Sequence, residues 1–420
     1  MNLGLISLIA LIAAIAIGYF RGNNVGIICL AFAMILSIVS PEIKPGDLIK
    51  GLSSSLFIQM VGVTYLFAIV NANKTLELTA KKAVRLVGKR KGLIPVVIFI
   101  LGAVLSGIGP GAIPCLAIIP VIAIPVAMSS GINPIMLSII GDLGVQATRM
   151  SPLTPEAAVV NNLMVAQNIS GGTVPIIWAM TVTCVVLSLC VYVYYKGWQS
   201  DSEFAAVEEK LPPLNVHQIE SIIGLFVLAI GVLFLKWNVG FTGFTVGTIL
   251  VILGAGEDGK ALKMIPWSVI LMVLGVGVLM SIVGKTGGIN LLVAGLQKIM
   301  TTGTASAVMG FAAGVMSFFS SGLGVVFPTL IPTAGGIAAS SGADAVEICA
   351  AIVSGGTFTG YSPISTAGAL IMAGVWQQEG AEKKFSQNKI FVELFAISFI
   401  ALFVLVALSY FGVYKVAVNL

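Results

Sequence analysis

The sequence predicts an all-α polytopic membrane protein made of two inverted repeats, each with five transmembrane helices plus a re-entrant hairpin and a broken helix. Three observations predict it. Of 420 residues, 58% are hydrophobic and 9% charged, against about 25% charged in a soluble domain, so most of the surface must face lipid. The stretch 151–160, SPLTPEAAVV, returns 211 positions later at 362–371 as SPISTAGALI, and the same offset carries Ser129-Ser130-Gly131 onto Ser340-Ser341-Gly342. Each Ser-Pro pair also interrupts a long apolar segment, which an uninterrupted spanning helix would not require.

Composition excludes several classes. The formal charge of +5 is too small and too concentrated for a nucleic-acid partner. The five Cys all lie in apolar segments and none forms a CxxC pair, so they read as small buried residues rather than disulfides or metal ligands. The one His, His217, falls in a polar linker and reads as a solvated residue. The opening run MNLGLISLIALIAAIAIGYF has no basic n-region and no small-residue cleavage site, the pattern of a retained first helix and not of a signal peptide.

A membrane helix needs about 20 mostly apolar residues, which places the first helices near 3–20, 25–40 and 55–73. The basic stretch 74–91, KTLELTAKKAVRLVGKRK, carries too much charge to span and is expected in the interface. Residues 1–91 thus form the first scaffold. From 92 to 141 there is no charged residue, and SGIGPGAIP at 106–114 breaks the run with three Gly and two Pro. The arm before it, 92–106, is about 22 Å long as a helix, short of a hydrocarbon core of about 30 Å. A re-entrant hairpin with its tip inside the membrane fits that length.

A broken helix at 133–165 completes the hairpin-and-break unit, 92–165, and a closing helix at 174–196 ends the first repeat, 1–196. A polar, acidic linker spans 197–217. The second repeat, 218–420, restarts the series at 218–236, 239–254 and 266–284, with an interfacial piece at 285–303 closing its scaffold. A hairpin and broken helix at 304–377 and a closing helix at 388–413 follow. Local matches support the pairing: Asn24-Val25-Gly26 with Asn238-Val239-Gly240, Lys74-Thr75 with Lys285-Thr286, Ile119-Pro120 with Ile331-Pro332. A repeat of this length constrains the fold more than any single motif does.

Most Lys and Arg fall on one side if 74–91 is cytoplasmic, which the positive-inside rule requires. Each repeat then crosses an odd number of times. That inverts the two relative to one another and puts both termini outside, in a bacterial plasma (inner) membrane.

Paired inverted repeats with hairpins and broken helices are the architecture of secondary transporters. Non-helical backbone at membrane depth exposes N–H and C=O groups that lipid cannot satisfy, so it must line a polar cavity. Freed N–H groups suit an anion and freed carbonyls suit a cation. The first break is read as 144–152, GVQATRMSP, and the second as 354–363, SGGTFTGYSP. The bland alternative is a pair of proline kinks whose hydroxyls bond their own backbone.

Arg149 is the most informative residue. Its counterpart 211 positions on is Gly360, so the fold does not demand an Arg there. A cation at membrane depth is costly unless paired, and a guanidinium can clamp a carboxylate through two parallel hydrogen bonds. The structural alternative is an ion pair with Asp142 or Glu156, each seven residues away. Those two acids are also the candidate proton relays, whereas Asp344 reads as an acid at a helix start.

The stretch 56–95, LFIQMVGVTYLFAIVNANKTLELTAKKAVRLVGKRKGLIP, resembles the N-terminal region of MatC-type dicarboxylate carriers, through VTYLFAIV, AVRLVG and GLIP. The resemblance continues into the hairpin tip and the Ser-Pro break. It implies the ion transporter superfamily that includes the divalent anion–sodium symporters: homodimers in which a scaffold supports a mobile transport domain. Carried onto this chain, Ser106, Gly107 and Gly109 with Thr148 and Ser151 form one half-site, and Ser320, Ser321 and Gly322 with Thr359 and Ser362 the other. Arg149 and Tyr361 join the substrate contacts. Coupling-ion positions fall at Ser106, Gly109 and Thr148 and at Ser320, Gly324 and Thr357. The chain departs from the family pattern in two places. Neither tip has the Ser-Asn-Thr triplet typical of the sodium symporters, and Thr148-Arg149 replaces a Gly-rich run before Ser-Pro.

The expected function is ion-coupled symport of a small organic anion, foremost a dicarboxylate, by an elevator-type movement. Export or antiport of another anion (an oxyanion, sulfonate or hydroxy acid) is the alternative in the same class. A membrane-embedded enzyme would need a nucleophile with a base, and a channel would not accumulate its solute. No cofactor or resident metal is called for beyond Na⁺ or H⁺ as coupling ion. The partners are the anion, membrane lipid and a second copy of the chain.

Overall fold

The computed structural model describes residues 2–75, 78–79, 82, 91–109, 111–198, 212–265, 267–297, 300–319, 321–362, 366–376 and 387–419. Every regular element among them is helical. Most of the stretch 74–91 on which the amphipathic expectation falls, most of the linker 197–217, and Ser320 lie outside the described residues.

The first scaffold consists of α1 (Leu3–Arg21), α2 (Val25–Val39), the short α3 (Pro45–Gly51) and α4 (Ser54–Ala72). Then come α5 (Ile94–Gly107) and α6 (Ala112–Ser130) as hairpin arms, α7 (Pro134–Thr148) and α8 (Pro155–Val165) around the first break, and α9 (Val174–Tyr194). The second series is α10 (Val216–Leu233), α11 (Val239–Ile252), α12 (Asp258–Met264), α13 (Trp267–Lys285) and α14 (Gly288–Gln297). After it stand α15 (Ala305–Phe319), a π-helical tip (Gly322–Val326) and α16 (Phe327–Ser341), then α17 (Ala345–Phe358), a 3-10 turn (Thr359–Tyr361) and α18 (Thr366–Trp376), with α19 (Gln387–Tyr410) and α20 (Val413–Ala417) last.

Asparagines start many of these helices. Asn2, Asn24, Asn133, Asn215 and Asn238 each accept backbone N–H groups of the first turn, which satisfies donors that lipid would leave bare. Asn24 also donates to the carbonyl (2.7 Å) and hydroxyl (3.0 Å) oxygens of Ser268, locking α2 to the start of α13. Asn24→Ala is expected to cost about 1–2 kcal/mol, read as a lower melting temperature of the detergent-purified protein.

Packing pairs the two halves crosswise. The α2 helix lies on α13 and α4 on α11, and glycines set both approaches. A Cβ on Gly26 would stand 2.3 Å from the Leu271 carbonyl oxygen, and one on Gly240 2.4 Å from that of Ile58. Returning contacts follow, Gly275 on the Gly26 carbonyl and Gly62 on the Gly240 carbonyl. The hairpin-and-break regions repeat the pattern: α5 packs on α7 with Gly144 against the Phe99 carbonyl, and α15 packs on α17 with Gly355 against the Gly310 carbonyl. Both members of the second contact lie 211 residues beyond those of the first.

Many large apolar side chains face outward, among them Ile9, Phe20, Ile38, Phe226, Phe241, Ile252 and Phe403, as a lipid-facing surface requires. By length and composition, three helices among the described residues suffice to cross a membrane: Val174–Tyr194, Gly322–Ser341 and Ile390–Tyr410. Gly322–Ser341 is 72% buried against 39% for the other two, so protein rather than lipid surrounds it.

Some expectations change. The first hairpin arms are short as read, 14 residues in α5 and 15 in α15, but α6 runs 19 residues, about 28 Å. The breaks are narrower than read: Gly144–Thr148 and Ser354–Phe358 stay helical, and the departure begins only at Arg149 and Thr359. Glycine is tolerated in those turns because close helix packing leaves no room for a side chain at Gly144 or Gly355. His217 is the second residue of α10 and contacts Glu220 at 3.0 Å, so the linker ends slightly earlier than read. The short helices α3, α12 and α20 carry too few apolar residues to register as spans.

At the polar end of α13, the Lys285 ammonium and the Lys44 backbone N–H both hydrogen-bond the Asp47 carboxylate and hold its pKa below the usual range. A depressed carboxylate stabilises the fold above its unfolded pKa and loses that contribution as pH falls through the folded value. The tether between α3 and α13 is therefore lost only in acid.

Candidate functional site at the paired helix breaks

The α7 helix ends at Thr148, and the chain turns through Ser151 before Thr154 restarts it. Thr154 Oγ1 donates to the Arg149 carbonyl at 2.6 Å and accepts from the Ala157 N–H at 3.1 Å. One hydroxyl thereby satisfies an orphaned carbonyl of α7 and an orphaned donor of α8, which lets the backbone break away from water.

This turn directs Arg149 inward, where the residue is 7% exposed. Its Nη1 donates to Gln146 Oε1 at 3.1 Å and to Thr357 Oγ1 at 3.2 Å. Those partners are 211 residues apart, so equivalent positions of the two halves hold one guanidinium nitrogen from either side. Nη2 stands 4.0 Å from Glu156 Oε1, and the Phe327 ring lies 6.0 Å from the guanidinium carbon, within cation–π range. Nε has no hydrogen-bond partner. Of the two acids considered from sequence, Glu156 is the one paired with Arg149. Asp142 is fully buried and neither of its oxygens has a partner.

Glu156 links Arg149 to the first hairpin. Its Oε1 accepts the Ala112 N–H, the first of α6, at 2.8 Å, while Oε2 is buried without a partner. Gly111 makes room for the carboxylate: it has φ 77°, and a Cβ there would fall 1.9 Å from Oε2. Gly111→Ala should therefore expel the carboxylate, weakening the Arg149 pair and lowering the melting temperature by the equivalent of about 1–3 kcal/mol.

The other sequence-predicted residues divide into groups. Gly107 faces the Thr148 side chain, whose hydroxyl donates to the Ala103 carbonyl at 2.6 Å. Ser106 is buried next to them with its hydroxyl unpartnered, and Ser151 Oγ accepts from the Leu153 N–H at 3.4 Å. In the second half, Ser321 caps the tip by accepting the Gly324 N–H at 3.0 Å. Gly322 lies on the Gly356 carbonyl, one residue from Thr357, and Thr359 bonds the Gly355 carbonyl. Ser362 is buried with its hydroxyl unpartnered.

Three residues point elsewhere. Gly109 abuts Phe67 of α4 and Gly324 abuts Met272 of α13, so each tip touches the fourth helix of its own half. Tyr361 lines an apolar cavity with Leu143, Leu187, Val191 and Ile397, and its hydroxyl is buried without a partner. Sequence reading misses Phe327, Gln146 and Gly111 as members of the Arg149 environment. Gln146, the position equivalent to Thr357, is discoverable from the repeat.

These observations define a polytopic helical protein with a buried arginine at its paired helix breaks. The fold resembles the crystal structure of the Alcanivorax borkumensis YdaH transporter, described as having an unusual topology. The TM-score is 0.58 at 11% identity, over 88% of this chain and 86% of that one. Residues 1–149 match the family described as the dicarboxylate carrier protein MatC N-terminus, which bears out the resemblance read at 56–95. That match ends at Arg149. No curated protein matches the chain.

Proposed function

We propose that the protein is a secondary active transporter of a small organic anion, foremost a dicarboxylate, in a bacterial inner membrane. One observation carries this reading. A buried arginine sits where two helix breaks meet, held by equivalent residues of the two halves, and an intramembrane cation so placed is a substrate contact by default. The N-terminal match to the dicarboxylate carriers and the helical transporter fold support it.

The matched registers at Gly144 and Gly355 and at Gly26 and Gly240 support the inverted-repeat reading. In this reading α1–α4 and α10–α14 form the scaffold of a homodimer. The hairpins and breaks move against it as an elevator, sliding at the Phe67–Gly109 and Met272–Gly324 contacts. Ser106, Gly107, Thr148 and Ser151 with Ser321, Gly322, Thr357, Thr359 and Ser362 line the path of substrate and coupling ion around Arg149. Counterflow tests the substrate class: vesicles preloaded with unlabelled succinate or malonate should take up the labelled acid through the purified protein. Absence of counterflow for every dicarboxylate tried would remove the substrate assignment.

A further inference from the structure

The anion position beside Arg149 is already filled by the protein itself. Glu156 places one carboxylate oxygen 4.0 Å from the guanidinium and 2.8 Å from the first N–H of α6, a helix of 19 residues. An arginine and a helix N-terminus are the two groups that recognise a substrate carboxylate. Gly111 leaves the space in which the carboxylate lies, and Oε2 is buried there without a partner. We propose that Glu156 is an internal stand-in for substrate: a substrate carboxylate takes its place at Arg149 and at the α6 N-terminus, and Glu156 takes up one proton as it is displaced.

The physical reason is charge. Arg149 and Glu156 together are neutral, and a second carboxylate would bring an unmatched anion into a buried site, which is costly. Protonation of Glu156 removes that anion: a proton adds to the carboxylate, the Arg149 contact breaks, and the guanidinium pairs with the incoming carboxylate. Proton and anion thus bind together and leave together, which is the coupling that symport requires. This rests on the dicarboxylate reading above.

The surrounding groups are few. Cys115 on α6 lies within electrostatic range of both Glu156 and Asp142, and Tyr361 within range of Asp142 and Arg149. Of the helices packed on α8, α4 offers only Tyr65, already bonded to Asp258, and α16 carries no titratable side chain. Arg149 is the one cation among these groups.

The test is calorimetric titration of the purified full-length protein with succinate at pH 7.5, in buffers of different ionisation enthalpy. Wild type should take up about one proton per succinate bound, with affinity strengthening by up to about tenfold per unit fall in pH. Glu156→Gln should bind at least as tightly, without proton uptake and without pH dependence between about pH 6 and 8. Glu156→Asp should retain proton uptake. Wild-type binding without proton uptake overturns the proposal and leaves the transport reading intact, and that result needs no variant to fold. Wild-type proton uptake persisting in Glu156→Gln overturns it equally. No binding of succinate, nor of malonate in the same titration, overturns the dicarboxylate reading and this inference with it.

Discussion

Arg149→Gln is expected to abolish saturable dicarboxylate uptake and to destabilise the protein by about 3–5 kcal/mol, the cost of leaving a buried charge without its partner. The reason is Glu156, which is 1% exposed and has Arg149 as its only cationic neighbour among the described residues. Without the guanidinium, its carboxylate keeps backbone N–H contacts such as that of Ala112 but no positive charge. Glutamine is long enough to keep one of the hydrogen bonds to Gln146 or Thr357, so the loss reports the charge rather than the shape. The double variant Arg149→Gln/Glu156→Gln should regain most of the stability, because a neutral pair replaces a buried ion pair at little cost, while uptake stays absent. A melting temperature for the double variant no higher than that of Arg149→Gln would show that the two side chains are not energetically coupled.

The second large effect is steric. Gly144→Leu and Gly355→Leu should each prevent the hairpin from packing on its broken helix. Even a Cβ at these positions would stand 2.0 Å from the Phe99 carbonyl oxygen and 2.2 Å from that of Gly310. Backbone atoms of a neighbouring helix cannot rotate aside, so the helices must separate. Alanine already forces a shift costing about 1–3 kcal/mol, and leucine should leave no monodisperse protein on size exclusion. Because the two contacts occupy matched registers, the paired variants should fail alike. Wild-type stability in either leucine variant would mean that the helices do not approach one another so closely.

Much of this fold is legible in the amino-acid sequence. The apolar runs at 3–20, 25–40 and 174–196 foretell α1, α2 and α9, because about 20 apolar residues leave few alternatives to a spanning helix. The Ser-Pro repeat locates both breaks. Their true width is not legible. Glycine and hydroxyl residues at 144–148 and 354–358 look like loop-formers, yet helix–helix packing needs glycines there and the helices continue. Arg149 stands out by its charge alone. Phe327 and Gly111 carry no such mark, since their part depends on which helices meet. The crosswise packing of α2 on α13 and α4 on α11 belongs to the same class of fact, as short sequence matches name equivalent helices without saying which touch.

The central claim is that this chain accumulates an anion at the expense of an ion gradient, and concentrative uptake tests it most directly. Purified protein in liposomes is given labelled succinate or malonate with a proton gradient and a Na⁺ gradient imposed one at a time. Vesicles without protein and vesicles carrying Arg149→Gln serve as baselines. Accumulation above the equilibrium level under one gradient, absent from both baselines, is the predicted result. Uptake that stops at equilibrium under both gradients, or that equals the protein-free level, would contradict the claim.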